Sequence, residues 1–171
     1  VVGIALAFFV GLGNVPLFDL DEGAFSEATR EMLERGDYIS TFLNGEPRYD
    51  KPVLIYWLQA VSVLAFGVTE FAFRLPSAIC ATVWVAIVFL FVRRLRGTEA
   101  GLLAAGLTAT AAGVTVIGRA AIADALLNML ITAAITSAYL YITEKDARWL
   151  RASFIAIGFG DVHEVHALSH Q

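Results

Sequence analysis

Long apolar segments dominate the chain, and short polar segments separate them. One apolar stretch extends over residues 75–92 and is broken only by Pro76, Ser77 and Thr82. A helix needs about 20 residues to cross a hydrocarbon layer of ~30 Å. The pattern therefore predicts membrane spans at about 1–17, 71–94, 99–118 and 121–143, with the start of another at 152.

The two ends of the chain are open to more than one interpretation. Residues 1–13 are too few for a full span, so we interpret them as a membrane helix that lacks its cytoplasmic end. A cleaved signal peptide is the alternative, but the segment has no basic n-region and no A-x-A site. Residues 161–171 form a polar tail, which a truncation or a frameshift also explains. Three histidines share a helical face there and allow a metal site as the alternative: His163, His166 and His170.

The apolar segment 52–67 is only about 16 residues long and is ambiguous. If it crossed the membrane, Arg93, Arg94 and Arg96 would lie on the same side as the acidic loop 18–51. That arrangement contradicts the positive-inside rule. We therefore predict that this helix lies in the membrane plane on the outer side.

This topology assigns a side to each polar segment. The N-terminus and both basic clusters, 93–96 and 145–151, are expected in the cytoplasm, whereas loop 18–51 and the short loop 119–124 face outside. Tyr56 and Trp57 suit the interfacial position of the in-plane helix, because aromatic rings favour the headgroup region.

Composition supports this class and excludes others. The chain is 58% hydrophobic and 16% charged, with a mean hydropathy of +0.70 and a net charge of -4. Disordered chains and nucleic-acid binders carry more charge, so both classes are excluded. Cys80 is the only cysteine, which rules out a disulfide framework and a cysteine-based zinc site. The expected fold class is an all-α, polytopic membrane protein.

Loop 18–51 holds nine of the sixteen acidic residues. It predicts an amphipathic helix from about Glu22 to Arg35, which ends at Gly36. Its apolar face is expected to hold Phe25, Ala28 and Met32. Five further charges are expected on a solvated face of this helix: Glu27, Arg30, Glu31, Glu34 and Arg35.

Three charged residues near the outer membrane face are candidates for function. Asp21 is expected at the N-cap of the amphipathic helix, so capping is the alternative to a chemical role. Asp124 is an ionisable group at the end of a span, and its alternatives are a helix cap or an ion pair with Arg119. Lys51 heads the in-plane helix, where an ammonium can meet a lipid phosphate.

Residues 21–60 and 66–78 carry specific motifs. They include an Asp-Glu pair after the first span, R-E-M-L-x-x-G-D, L-N-G-x-x and K-P-x-x-x-Y-W. This region resembles the first extracytoplasmic loop of GT-C glycosyltransferases that use polyprenyl-phosphate sugars. Relatives of this kind are the aminoarabinose transferases that modify lipid A and the protein O-mannosyltransferases.

The resemblance implies roles for individual residues. The catalytic set that it implies is Asp21, Glu22 and Asp124. Asp21 matches the essential loop carboxylate, with Glu22 as its acidic neighbour, and Asp124 matches a second carboxylate in the next outer loop. Lys51 matches the lysine that contacts the donor phosphate. The substrate-binding set is completed by Arg119 and Tyr56. Asp50 falls where an acidic residue can ligate a divalent metal, and no other cofactor is implied. Ala24 replaces a family arginine, whose phosphate contact is either missing or supplied by Arg119.

The activity implied is transfer of a sugar, with inversion, from a polyprenyl-phosphate donor to a lipid or protein acceptor. It is expected on the extracytoplasmic side of the inner membrane of a bacterium, with the chain as the N-terminal part of the enzyme's transmembrane domain and inactive alone. A membrane transporter or proton-relay subunit is the alternative, with Asp124 and Arg119 as the relay. The motif-bearing loop has no role in that alternative.

Overall fold

The structure is a computed structural model that describes residues 2–48, 51 and 53–161. Eight helices and one small hairpin make up this part of the chain. Their bounds are α1 Val2–Phe9, α2 Asp19–Arg35, β1 Phe42–Leu43, β2 Glu46–Pro47, α3 Val53–Phe66, α4 Glu70–Arg96, α5 Thr98–Thr110, α6 Ala112–Arg119, α7 Asp124–Glu144 and α8 Ala147–Asp161.

Helices α4 and α7 are the two long apolar helices of the described residues, and each is long enough to cross a membrane. The 27 residues of α4 correspond to about 40 Å of helix. Thr69 caps its start by accepting the Ala72 amide at 3.2 Å. Pro76 is the seventh residue of the helix, where its missing N–H leaves one helical hydrogen bond unmade. The helix ends at Gly97, whose φ of 88° is unfavourable for other residues.

The segment predicted as a span over 99–118 consists of two helices with a break between them, and its crossing of the membrane stays a prediction. Helices α5 and α6 meet at Ala111 with a bend of 64°. Ala111 has extended backbone, yet its amide still donates to the carbonyls of Leu107 and Thr108. The Thr115 hydroxyl donates to the Ala109 and Ala111 carbonyls at 3.2 Å each. These bonds satisfy backbone groups at the break, as membrane depth requires.

Other helix bounds also differ from the predicted spans. Helix α1 ends at Phe9, and turns occupy residues 10–15 before α2. Helix α7 begins three residues later than predicted, and α8 begins at Ala147 rather than at 152. Hydropathy identifies the apolar residues but does not locate the polar turns that end each helix.

The two basic clusters lie at the same end of the bundle. Arg94, near the end of α4, pairs with Glu144 at the end of α7, with Nε to Oε1 at 2.6 Å and Nη2 to Oε2 at 2.8 Å. Trp149 of α8 donates its indole N–H to the same carboxylate at 3.0 Å. We call this the basic end. The predicted grouping of the arginines near 93–96 with the cluster 145–151 is thereby confirmed.

Helix α2 packs on α3 through the apolar face predicted for it. Phe25, Ala28 and Met32 are all buried, and the Phe25 ring stacks on Tyr56 of α3 with centroids 5.4 Å apart. Gly36 ends the helix in the left-handed region, with φ of 67°, and donates its amide to the Met32 carbonyl. The helical period of the apolar residues predicts this face, and the glycine predicts the end of the helix.

One residue of the predicted solvated face is buried instead. The Glu31 carboxylate accepts the Gly45 amide of the hairpin at 3.2 Å and the Arg35 guanidinium at 3.1 Å. The hairpin folds back over α2, and Arg35 lies 4.2 Å from the Phe42 ring centroid. Glu31 therefore attaches the hairpin to the helix.

Helix α3 has 14 residues and is about 21 Å long, which is short for crossing. Its buried residues face α2 and α4, while Val61, Leu64 and Phe66 are exposed. Its in-plane orientation stays a prediction.

Candidate active site

The Glu22 and Arg74 side chains form a buried ion pair between α2 and α4. Arg74 Nε lies 2.9 Å from Glu22 Oε1, and Nη2 lies 2.7 Å from Oε2. Both side chains are less than a tenth exposed. The remaining Arg74 donors reach the carbonyls that follow α1, at 3.0 Å for Leu12, 2.7 Å for Val15 and 2.9 Å for Pro16. Arg74 thus joins three segments of the chain.

Glu22 accepts two backbone amides in addition to the arginine. These come from Phe18 at 2.7 Å and from Ala121 at 2.6 Å. Burial alone would raise the pKa of Glu22, but the hydrogen bonds from Arg74 and the two amides outweigh it and hold the pKa below its ordinary value. An anion with every oxygen occupied is not available as a proton acceptor. The predicted catalytic role of Glu22 is therefore replaced by a structural one.

Gln59 of α3 completes the anchoring of the loop between α6 and α7. Its amide nitrogen donates to the Phe73 and Ala121 carbonyls at 3.3 Å each, and its oxygen accepts the Thr29 hydroxyl at 2.7 Å. The Ser77 hydroxyl donates to the Ile122 carbonyl at 3.0 Å. These contacts place loop 119–124 against α2, as the sequence predicts for two segments on one side.

Asp21 lies one residue before Glu22 and has a different environment. It is exposed and lies in the first turn of α2, whereas Phe18 occupies the N-cap position. The predicted N-cap position of Asp21 is therefore wrong. Asp21 borders a cavity of about 330 Å³ at this end of the bundle. The cavity is lined by Phe18, Asp21, Glu22, Arg74, Val116, Arg119, Ala120 and Ile122.

Arg119 ends α6 and enters the cavity wall from the opposite side. Its Nη1 donates to the Ala7 carbonyl at 2.7 Å and its Nη2 to the Val10 carbonyl at 2.8 Å. Among the described contacts, Arg119 therefore pairs with these two carbonyls and not with Asp124, which is the alternative that the sequence leaves open. Gly118 lets α6 approach closely, because a Cβ there would lie 2.7 Å from Ala81 and 3.0 Å from Phe8.

Asp124 and Lys51 lie outside this cavity lining. Asp124 is the first residue of α7, directly after the N-cap Ala123, and its carboxylate is exposed. It is two residues from Ile122, which borders the cavity. Lys51 is half-buried ahead of α3. The cavity lining brings Asp21, Glu22 and Arg119 together, and Lys51 and Asp124 are not part of it.

Tyr56 is fully buried, which contradicts its predicted contact with substrate. It lies on the face of α3 that packs against α2, with Ile55 and Gln59. Trp57 is the aromatic residue that reaches the surface, and its indole N–H donates to the Tyr38 carbonyl at 2.6 Å. The expectation that both aromatic rings lie at the membrane interface therefore fits Trp57 and is wrong for Tyr56.

The described residues provide no set of three or more His, Cys, Asp or Glu side chains that a metal would need. Asp50, the predicted metal ligand, lies outside the described residues, as do His163, His166 and His170. The predicted metal site at Asp50 therefore stays a prediction.

Sequence reasoning missed Arg74 and Gln59. Each is a polar residue within an apolar helix, and such a residue needs a partner when it is buried. That signal marks both positions, but it does not identify their partners, which lie up to 62 residues away.

Comparison with known proteins places the chain in a family. The family model described as dolichyl-phosphate-mannose-protein mannosyltransferase matches residues 50–163. The undecaprenyl phosphate-alpha-4-amino-4-deoxy-L-arabinose arabinosyl transferase of Serratia proteamaculans is 29% identical over 155 residues, which cover 90% of this chain. The enzyme of the same name from Pectobacterium atrosepticum is 32% identical over 149 residues, or 86% of this chain. The chain spans 28% and 27% of these relatives.

Solved structures agree on the fold. ArnT from Cupriavidus metallidurans in the apo state superposes with a TM-score of 0.86 at 23% identity, covering 95% of this chain and 31% of that one. The same protein bound to undecaprenyl phosphate gives 0.81 at 24% identity, with the same coverage. The predicted fold class, an all-α polytopic membrane protein of the GT-C kind, is confirmed. Because the family model covers more than half of the 171 residues, the chain belongs to the dolichyl-phosphate-mannose-protein mannosyltransferase family.

Proposed function

We propose that this chain forms part of a glycosyltransferase that moves a sugar from a polyprenyl-phosphate donor to a lipid or protein acceptor. The observation that carries the proposal is the contrast between two adjacent carboxylates. Glu22 is buried in an ion pair, whereas Asp21 is exposed at a cavity that also borders Arg119. The names of the relatives, which are arabinosyl and mannosyl transferases, support the same reaction class.

Asp21 acts on the acceptor in this proposal. The acceptor oxygen attacks the anomeric carbon from the face opposite the phosphate, and a new carbon–oxygen bond forms there. The bond to the phosphate oxygen breaks, and the lipid phosphate leaves with the electron pair. If the acceptor is a hydroxyl, Asp21 receives its proton as the general base. If the acceptor is a phosphate, Asp21 only orients it.

The cations act on the leaving phosphate. Arg119 brings a fixed positive charge to the cavity, because two carbonyls of α1 and its following turn hold its guanidinium. Lys51 heads α3 and supplies a second cation at headgroup depth. A preorganised positive charge stabilises the departing phosphate most strongly where water is excluded. Asp124, near the same membrane face, is the proposed second carboxylate of the acceptor site.

The site is proposed to face the outer side of the inner membrane of a bacterium. The clusters at the basic end are consistent with a cytoplasmic location under the positive-inside rule. The cavity lies at the opposite end of α4, next to Arg74. The alternative of a proton relay between Arg119 and Asp124 has no support, since Arg119 donates to Ala7 and Val10.

Two variants of the whole protein test this division of roles. Asp21→Asn is expected to lower the transfer rate by about 10²-fold or more, the scale of a lost general base, and to leave donor binding unchanged. Lys51→Ala is expected to weaken binding of the polyprenyl-phosphate donor. Glu34→Gln, at an exposed position of the same helix, serves as the matched control. Near-normal transfer by a folded Asp21→Asn protein would reject the catalytic role, and unchanged donor affinity in Lys51→Ala would reject that of Lys51.

A further inference from the structure

A second cavity, of about 470 Å³, lies at the basic end between α4, α7 and α8. Its walls are mostly apolar and include Ile87, Leu90, Ala133 and Leu140. Its size is within the range of about 300–1,000 Å³ that is usual for small-molecule sites. The candidate active site is near the other end of α4, so the two cavities are separate.

The cavity has a defined direction. Along α4, its lining begins at Ile87 and ends at Arg93 and Arg94, which is about 10 Å of helix. Along α7, it runs from Ala133 to Leu140, toward the same end. The apolar part therefore extends toward the middle of the bundle, and the charged part lies at the end of the span.

The charged part can bind an anion. Arg94 is paired with Glu144, but no carboxylate of the described residues pairs with Arg93. Arg93 is an exposed residue, and its guanidinium carbon lies 5.8 Å from the Phe89 ring centroid. Trp149 also borders this part of the cavity, and indole rings favour the membrane–water interface. Within residues 93–99 and 144–151, which form this end, the basic side chains outnumber the acidic ones. The basic ones are Arg93, Arg94, Arg96, Lys145, Arg148 and Arg151, against Glu99, Glu144 and Asp146.

We propose that this cavity binds an anionic phospholipid, with one acyl chain between α4 and α7 and the phosphate at Arg93. Charge complementarity favours a lipid over a further helix of the protein, because an apolar helix would bury Arg93 without a counter-charge. The proposal is independent of the sugar-transfer reaction.

The test measures lipid binding by the whole protein in detergent, with phosphatidylglycerol as the anionic probe and phosphatidylcholine as the neutral one. Binding is read as the lipid-dependent rise in Tm and as bound lipid in native mass spectrometry. Phosphatidylglycerol is expected to bind more tightly. Arg93→Gln is expected to weaken its apparent affinity about tenfold, the scale of one lost hydrogen bond to a charged group.

Matched variants separate this site from general charge and general packing. Arg96→Gln removes a charge from the same end of α4 at a residue outside the cavity lining, and it is expected to change affinity less than twofold. Ala133→Leu fills the cavity and is expected to weaken the binding of both lipids. Ile135→Phe, at an exposed position of α7, is expected to leave lipid binding unchanged.

Three results would overturn the proposal. The first is equal affinity of the unsubstituted protein for the two lipids. The second is an equal loss of phosphatidylglycerol affinity in Arg93→Gln and Arg96→Gln, which would mean that the charge acts without a specific site. The third is efficient crosslinking of a Thr136→Cys variant to a segment of the protein beyond residue 171, which would mean that a helix occupies the cavity.

Discussion

Glu22 and Gln59 bind the two backbone polar atoms of Ala121. The carboxylate of Glu22 accepts the Ala121 amide at 2.6 Å, and the side-chain amide of Gln59 donates to the Ala121 carbonyl at 3.3 Å. These two residues come from different helices, and both are buried. The loop that carries Arg119 and Asp124 is therefore fixed relative to α2, the helix that presents Asp21.

Removing the charge of Glu22 is expected to destabilise the protein strongly. Glu22→Gln leaves the buried Arg74 without its counter-charge, and breaking a buried pair in this way costs about 3–5 kcal/mol. The free energy of unfolding in mixed micelles measures the effect. Glu27→Gln is the control, because its exposed pair with Arg30 contributes little. A loss in Glu22→Gln no larger than in the control would show that the pair does not hold the segments together.

Stability is expected to depend on pH through Glu22. Its folded-state pKa is lowered below the ordinary value of 4.5, so between these two pKa values the unfolded chain binds more protons than the folded one. The contribution is thus fully present above the ordinary value and is lost as pH falls through the lower, folded-state pKa. Comparing unfolding of the unsubstituted protein and Glu22→Gln from pH 3 to 7 isolates it. A difference that stays constant over this range would contradict the assignment.

Gln59 is expected to matter for the position of the loop between α6 and α7. Gln59→Leu leaves the Phe73 and Ala121 carbonyls and the Thr29 hydroxyl without this partner, at about 1–3 kcal/mol for a buried unsatisfied group. Faster hydrogen exchange at residues 121–123 is the specific readout. Ser62→Ala on the same helix is the control, because the buried Ser62 hydroxyl has no hydrogen-bond partner among the described residues. Equal exchange in both variants would argue against the anchoring role.

The membrane orientation is expected to place the basic end in the cytoplasm. In a Cys80→Ala background, Thr98→Cys should resist an impermeant thiol reagent in intact cells, whereas Glu46→Cys in the hairpin should react. Both positions are exposed, and Thr98 avoids the left-handed backbone of Gly97. Strong labelling at Thr98→Cys would reverse the topology.

Local patterns in the sequence predict local structure well here. The period that places Phe25, Ala28 and Met32 on one face, and the glycine that ends α2, are properties of neighbouring residues. The role of Glu22 is not, because its partners lie 52 and 99 residues away. Tyr56 shows the same limit, since the aromatic type suits an interface but the packing of α3 on α2 decides its burial. The break at Ala111 is hidden in the sequence, because no proline marks it and small residues, Thr110 and Ala112, lie on both sides.

The order in which the two partners of the α2–α4 ion pair are made bears on membrane insertion. Glu22 precedes Arg74 by 52 residues, so the carboxylate has already left the ribosome when the arginine follows it. An arginine in an apolar segment is costly to insert without a partner. Here Glu22 is already present when Arg74 is made. The Ala121 amide is made last, after Arg74 has paired with the Glu22 carboxylate. The chain can therefore insert from its N-terminus onward without an unpaired arginine in an apolar segment.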